Sequence, residues 1–297
     1  MKPPFPLAGE ILLLFNALIW AISVLLYRVA GFSVSPVALN LFKGTIGTAL
    51  FLATLPFFGG FFPTGATAAD AWWIFGSGVV GIALADTLFF ASLNRLGAAR
   101  SAIVDCLYSP FIILFAYLIL GEKLTLLASI GALLIVSGVF LSSFDTIEHE
   151  ISREDFWRGT AYGALSMAFM GIAIVVIKPI LGNYPILWSA TLRMGGGTVG
   201  MILYALLHPK RREIWSIFRP QPSWKVLVPG SVLGGYLAFL VWLGGFKYAP
   251  ANIAGLLTQL SSVFVVALAV WILKERLTKW KAIALVLAIG GTVLVLL

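Results

Sequence analysis

The 297 residues are 60% hydrophobic and only 11% charged, with a mean hydropathy of +1.01. A soluble domain usually carries about 25% charged residues, so a water-soluble globule is excluded. The formal charge of +8 fits basic loops at a membrane surface better than nucleic acid, and the lone Cys106 excludes an intramolecular disulfide.

Apolar runs long enough to cross a bilayer, about 20 residues each, recur along the chain. Ten are predicted, at 9–27, 36–57, 72–92, 99–120, 126–143, 157–177, 185–207, 226–246, 251–273 and 280–297. The alternating segments of about 10 residues that mark a transmembrane barrel do not occur. The expected fold class is therefore an all-α polytopic membrane protein. The first run follows Lys2 but no small-residue cleavage site follows it, so it reads as a retained helix. It carries Asn16, Trp20, Ser23 and Tyr27 on one helical face. The second run holds Lys43 and the third Asp86. In the fourth, Ser101, Asp105, Tyr108 and Ser109 share a face, and Pro110 predicts a kink. An acidic connection over 144–156 joins the fifth and sixth runs. The seventh holds Arg193 beside Gly195-Gly196-Gly197, which suits either a hinge or tight packing. The connection 208–225 is basic with interleaved Trp and Phe, as expected of a segment lying on anionic headgroups. The eighth run offers Tyr236, Phe239 and Trp242, and the ninth Thr258, Gln259 and Ser262.

The chain repeats itself. Residues 96–141 and 249–294 are identical at 14 of 46 positions, including Leu120-x-Glu122-x-Leu124-Thr125 against Leu273-x-Glu275-x-Leu277-Thr278. Ser109 aligns with Ser262 and Gly138 with Gly291; at a shift of 150, Lys43 meets Arg193 and Trp20 meets Met170. The expected units are 1–145 and 159–297, each of five helices, joined by an acidic linker at 146–158. Because five is odd, homologous halves must point in opposite directions, giving an inverted repeat with its working site near the midplane. The Glu-x-Leu-Thr turns read as structural caps, with threonine opening the next helix. Setting aside Lys43 and Arg193, only Lys2, Lys123, Lys178 and Lys247 fall on the side of the termini, which the charge rule would then place outside.

Lys43, Asp86, Asp105 and Arg193 each lie inside a predicted span. A charge there opposes insertion by about 3 kcal/mol, so each should face the bundle interior or a wet cavity. The functional reading is a polar chamber whose paired cations hold a carboxylate or phosphate; the structural reading is an ion pair such as Lys43 with Asp86. Four polar and aromatic stripes together favour a cavity for a small amphipathic solute. No P-loop, His-Glu-x-x-His, Cys-x-x-Cys or nucleophile elbow occurs, so neither a cofactor, a metal nor an enzymatic activity is expected.

Gly121-Glu-Lys-Leu-Thr125, its echo Lys274-Glu-Arg-Leu-Thr278, Asn16 and Trp20, Ser35-Pro36, and the Phe89-Phe90-Ala91-Ser92-Leu93 exit resemble the drug/metabolite transporter superfamily, above all its EamA-type exporters. The resemblance covers nearly the whole chain. It implies a multi-pass inner-membrane exporter of amino acids or similar metabolites working by alternating access, with relatives that exchange sugar phosphates or nucleotide sugars. Lys43 stands where the family commonly has arginine. The expected substrate-binding residues are Asn16, Trp20, Lys43, Asp105, Tyr108, Arg193, Trp242 and Gln259, with Asp86 or Asp105 carrying any coupling proton. Aromatic amino acids suit the Trp and Tyr faces. The partners expected are a small-molecule substrate and the bilayer, not nucleic acid; oligomeric state is left open. The competing readings are an organophosphate or nucleotide-sugar antiporter and, from another class, a membrane-embedded enzyme acting on lipid.

Overall fold

The protein is described here from a computed structural model, which covers residues 7–58, 63–121, 126–141, 151–249 and 251–296. Glu122, Leu124 and Thr125, and most of the acidic connection at 144–150, lie outside the described residues. The described residues form helices and short turns without a strand. Seven helical rods among them are long and apolar enough to cross a membrane. Apolar side chains such as Phe15, Leu52, Leu118 and Leu203 cover their outer surface, as a bilayer requires.

Helix α1 (Ala8–Ala30) is followed by α2 (Pro36–Thr54). Ser35 caps α2 by accepting from the Ala38 N–H, and Pro36 pre-sets its first turn. The third rod is α3 (Ala68–Gly78), a π-helical stretch at Val79–Leu84, and α4 (Ala85–Leu96). The fourth rod is broken into α5 (Ala98–Asp105) and α6 (Tyr108–Leu120). Pro110 explains the break. Without an N–H it leaves the Cys106 carbonyl free, and the Ser109 N–H turns to that oxygen at 3.3 Å. Its repeat partner is Val263, and there the helix runs unbroken. After α7 (Leu126–Leu141), α8 begins at Arg153 and ends at Leu181. Ser152 caps it, so Glu154 and Asp155 of the expected linker belong to its first turn, where the helix dipole favours acids. Then come α9 (Ile186–Leu207), the short α10 (Arg211–Trp215), and an eighth rod of α11 (Trp224–Gly230), π-helix Ser231–Ala238 and α12 (Phe239–Tyr248). Helices α13 (Ala251–Ile272) and α14 (Lys279–Leu296) close the chain.

Packing between the halves is reciprocal. α2 packs on the second π stretch, and α9 on the first; α1 packs on α12 and α13, and α8 on α4 and α6. α7 packs along α14, where Gly138 faces Ala284 and Ala288 while its counterpart Gly291 faces Gly131 and Ile135. Repeat-related residues also meet each other, Thr48 Oγ1 lying 2.8 Å from Thr198 Oγ1. The glycine triplet in α9 serves packing: the helix is continuous, with Gly196 against Phe75 and Gly197 against Ile82.

The turn before α14 does more than cap. Thr278 accepts from the Lys281 N–H, as the Glu-x-Leu-Thr pattern predicts. Glu275 reaches across to the broken fourth rod, its two carboxylate oxygens accepting from the Ala98 and Ala99 N–H groups at 2.9 and 3.1 Å. Arg28 donates nearby to the Leu93 and Asn94 carbonyls. Lys274 holds φ 57, matching φ 69 at its counterpart Gly121, so the repeat preserves a left-handed turn even where glycine is lost.

Replacing Gly291 with alanine should lower stability by about 1–3 kcal/mol, since its Cβ would press on the Gly131 carbonyl. Gly290→Ala, with open space around it, should be neutral. Melting temperatures in detergent check the contrast. Glu275→Ala should cost about 1–2 kcal/mol by the same measurement, because two helix N–H groups lose a charged acceptor.

Candidate functional site

The rods enclose a chamber of about 870 Å³ of empty space, its solvent-open part included. Its walls hold Asn16 and Trp20 of α1, Lys43 of α2, Gly81 and Ile82 of the first π stretch, Asp86 and Phe89 of α4, and Asp105 and Tyr108 at the break in the fourth rod. The second half supplies Met167, Met170, Met194, Gly234, Ala238, Phe239, Trp242, Thr258, Gln259, Ser261 and Ser262.

Many of these are repeat partners. Trp20 with Met170, Gly81 with Gly234, Asp86 with Phe239, Phe89 with Trp242, Asp105 with Thr258 and Tyr108 with Ser261 are equivalent pairs, and both members of each line the chamber. Both repeats therefore contribute equivalent positions to the same chamber. The chemistry is less symmetric than the packing, because both acids come from the first half.

Local structure positions each group. Winding five residues per hydrogen bond in the π stretch frees carbonyls and widens the helix at a functional site. The Asn40 amide donates to the Ile82 carbonyl at 2.7 Å and to Thr87 Oγ1 at 2.9 Å, Thr87 donates to the Ala83 carbonyl, and Ser166 to the Ala85 carbonyl. One turn beyond Asn40, Lys43 forms a buried ion pair with Asp86 and lies 5.3 Å from the Phe90 ring centre. The two side chains are 3% and 8% exposed, so the pair is desolvated and each partner needs the other.

Arg193 lies fully buried behind the chamber wall rather than on it. Its guanidinium is 5.5 Å from the Trp242 ring centre and donates to the Ala173 carbonyl at 3.4 Å, while Nε and Nη2 find no hydrogen-bond partner among the described residues. Gly81 makes the room: a Cβ there would lie 2.7 Å from Nη2. Gly235 likewise lies against Lys43, where a Cβ would stand 3.1 Å from Cγ. Each half's cation thus rests on a glycine of the other half's π stretch. Asp86 and Tyr108 are within electrostatic reach of Arg193, and the buried Tyr108 hydroxyl has no hydrogen-bond partner among the described residues.

Of the residues expected from sequence, Asn16, Trp20, Lys43, Asp86, Asp105, Tyr108, Trp242 and Gln259 line one chamber, and Arg193 stands one layer back. Gln259 donates to Ser109 Oγ at 3.0 Å across the repeat interface. Tyr236 is not among the chamber residues and packs against Phe51 instead, with ring centres 4.7 Å apart and planes tilted by 55°. The π insertion rotates it off the face that a regular helical period assigns. Gly81, Gly234 and the three methionines carry no polar signal. The offset that relates 96–141 to 249–294, carried back to the third rod, pairs Gly81 with Gly234. Among the described residues no cluster of His, Cys, Asp or Glu suits a metal.

A family model described as the EamA-like transporter family matches residues 7–144 and again 157–297. A search of curated proteins returns no significant match. One crystal structure, of a protein whose description states no function, superposes with a TM-score of 0.67 at 20% identity. It covers 95% of this chain and 94% of its own, and at that identity it shows the fold alone. With nearly every residue inside one of the two matches, the chain belongs to the EamA-like transporter family of the drug/metabolite transporter superfamily and is a multi-pass membrane transporter.

Proposed function

We propose that the protein exports amino acids or similar small metabolites across a cell inner membrane by alternating access. Ten membrane spans form two five-helix halves of opposite orientation, and the chamber between them is the substrate site. The observation that carries this reading is the chamber wall itself: six pairs of repeat-related residues around one cavity, with charges buried at its edge. Alternating access needs two halves that can exchange roles about a shared site, and reciprocal packing supports that.

Within it, Lys43 holds Asp86 in place, and Arg193 receives the substrate carboxylate. Two of its three guanidinium nitrogens have no hydrogen-bond partner among the described residues, a poor arrangement for a buried guanidinium at rest and a good one for binding an anion. Trp242, which both lines the chamber and covers the guanidinium, moves aside to admit the carboxylate. Trp20 against Phe89 and Phe239 against Trp242, with ring centres 5.8 and 6.0 Å apart, give flat apolar walls suited to an aromatic amino acid. A proton carried on Asp86 or Asp105 is the coupling this arrangement accommodates. A phosphate-ester antiporter fits less well, because one of the two cations it needs is already neutralised by Asp86.

Counterflow in proteoliposomes tests the reading. Labelled phenylalanine should exchange against unlabelled amino acids and not against phosphate esters; the reverse preference would select the antiporter. Arg193→Ala should abolish exchange of the amino acid. Lys43→Met or Asp86→Leu alone should destabilise the fold by about 3–5 kcal/mol, since each leaves one buried charge uncompensated. The double variant should recover melting temperature without recovering transport. If it also transports normally, the pair is only structural.

A further inference from the structure

Asp105 differs from every other charged group around the chamber. Lys43 and Asp86 neutralise each other, and Arg193 is screened from the cavity by Trp242 and Gly81. Asp105 alone lines the chamber with no hydrogen bond or ion pair to its carboxylate among the described residues. An unpaired carboxyl group at this depth either takes up a proton or gains by meeting a cation, so an ammonium group entering the chamber finds a site whose only competitor is the proton.

Its position adds to the charge. Asp105 is the last residue of α5, at the break caused by Pro110, so the negative end of that helix dipole and the carboxylate face the same place. The other half does not repeat this: the partner of Asp105 is Thr258, the partner of Pro110 is Val263, and the helix there continues. The chamber therefore has one cation-seeking spot, on one wall. Aromatic faces of Trp20, Phe89 and Tyr108 line the same cavity, and such faces attract organic cations.

We infer that Asp105 is the specificity-determining residue for a substrate ammonium group, so that the chamber takes protonated amines with an apolar or aromatic body and rejects solutes bearing only a negative charge. The inference deepens the transport reading and rests on it for the word substrate. For an amino acid it assigns the amine to Asp105 and leaves the carboxylate to Arg193. It also extends the range to amines with no carboxylate at all.

Three ligands that share one ring separate the terms: phenethylamine, L-phenylalanine and 3-phenylpropionate. Binding to the purified full-length protein in detergent is read by calorimetry, and counterflow in proteoliposomes by the same three. Phenethylamine and phenylalanine should bind, and phenylpropionate should bind at least about tenfold more weakly or not at all. Asp105→Asn should weaken both amine ligands by about tenfold or more, the loss of one charge-assisted contact, with melting temperature retained. Asp105→Glu should recover part of that loss, which a merely structural role would not predict. Binding of phenylpropionate equal to phenylalanine, with none by phenethylamine, overturns the inference, as does unchanged amine affinity in Asp105→Asn. The two levels fail separately. Exchange of phenylpropionate alone would keep the transporter and remove the amine site; amine binding without exchange of any ligand would keep the site and remove transport.

Discussion

A polar group in hydrocarbon must find its partner inside the protein, because no water is there to serve. The buried ion pair of Lys43 with Asp86 is the sharpest case, and the surrounding structure is arranged to make it possible. The π stretch at Val79–Leu84 swells the third rod just before Asp86, and the carbonyls of Ile82 and Ala83 within it and of Ala85 just after it are met by Asn40, Thr87 and Ser166. Gly81 then lets Arg193 approach the same stretch from behind. Charge, helix irregularity and close packing are one feature seen three ways.

Symmetry in this molecule belongs to the backbone, and asymmetry to the side chains. Both halves carry a π stretch at the same place, both bend through a left-handed residue before their fifth rod, and both rest a cation on the other's glycine. The scaffold is thus shared. Acids at 86 and 105, and the proline that breaks the fourth rod, occur once only. In a repeat of this kind the departures from symmetry are where a substrate with distinct ends would be read.

Much of this was legible beforehand for a physical reason. Apolar length reports membrane crossing, and charges within such lengths report an interior, so Lys43, Asp86 and Asp105 could be assigned to a cavity from sequence. Pro110 foretold its break, and Thr278 its cap. Rotation about the helix axis was less legible. A π insertion shifts the face by a fraction of a turn without leaving a residue signature, which puts Tyr236 against Phe51 instead of in the chamber, and a glycine such as Gly81 or Gly234 carries no side chain to mark a wall. Depth was illegible too: nothing in the seventh run distinguishes a cation on the wall from one a layer behind it, as Arg193 is.

Accessibility from the two faces of the membrane tests most directly whether the chamber alternates. Single cysteines placed at Trp20 and at its partner Met170, in a Cys106→Ser background, would be labelled by an impermeant maleimide applied to one side of sealed oriented vesicles at a time. Alternating access predicts that each position reacts from both sides and that transported substrate shifts the two rates in opposite directions. Labelling of both positions from one side only, unchanged by substrate, would contradict it.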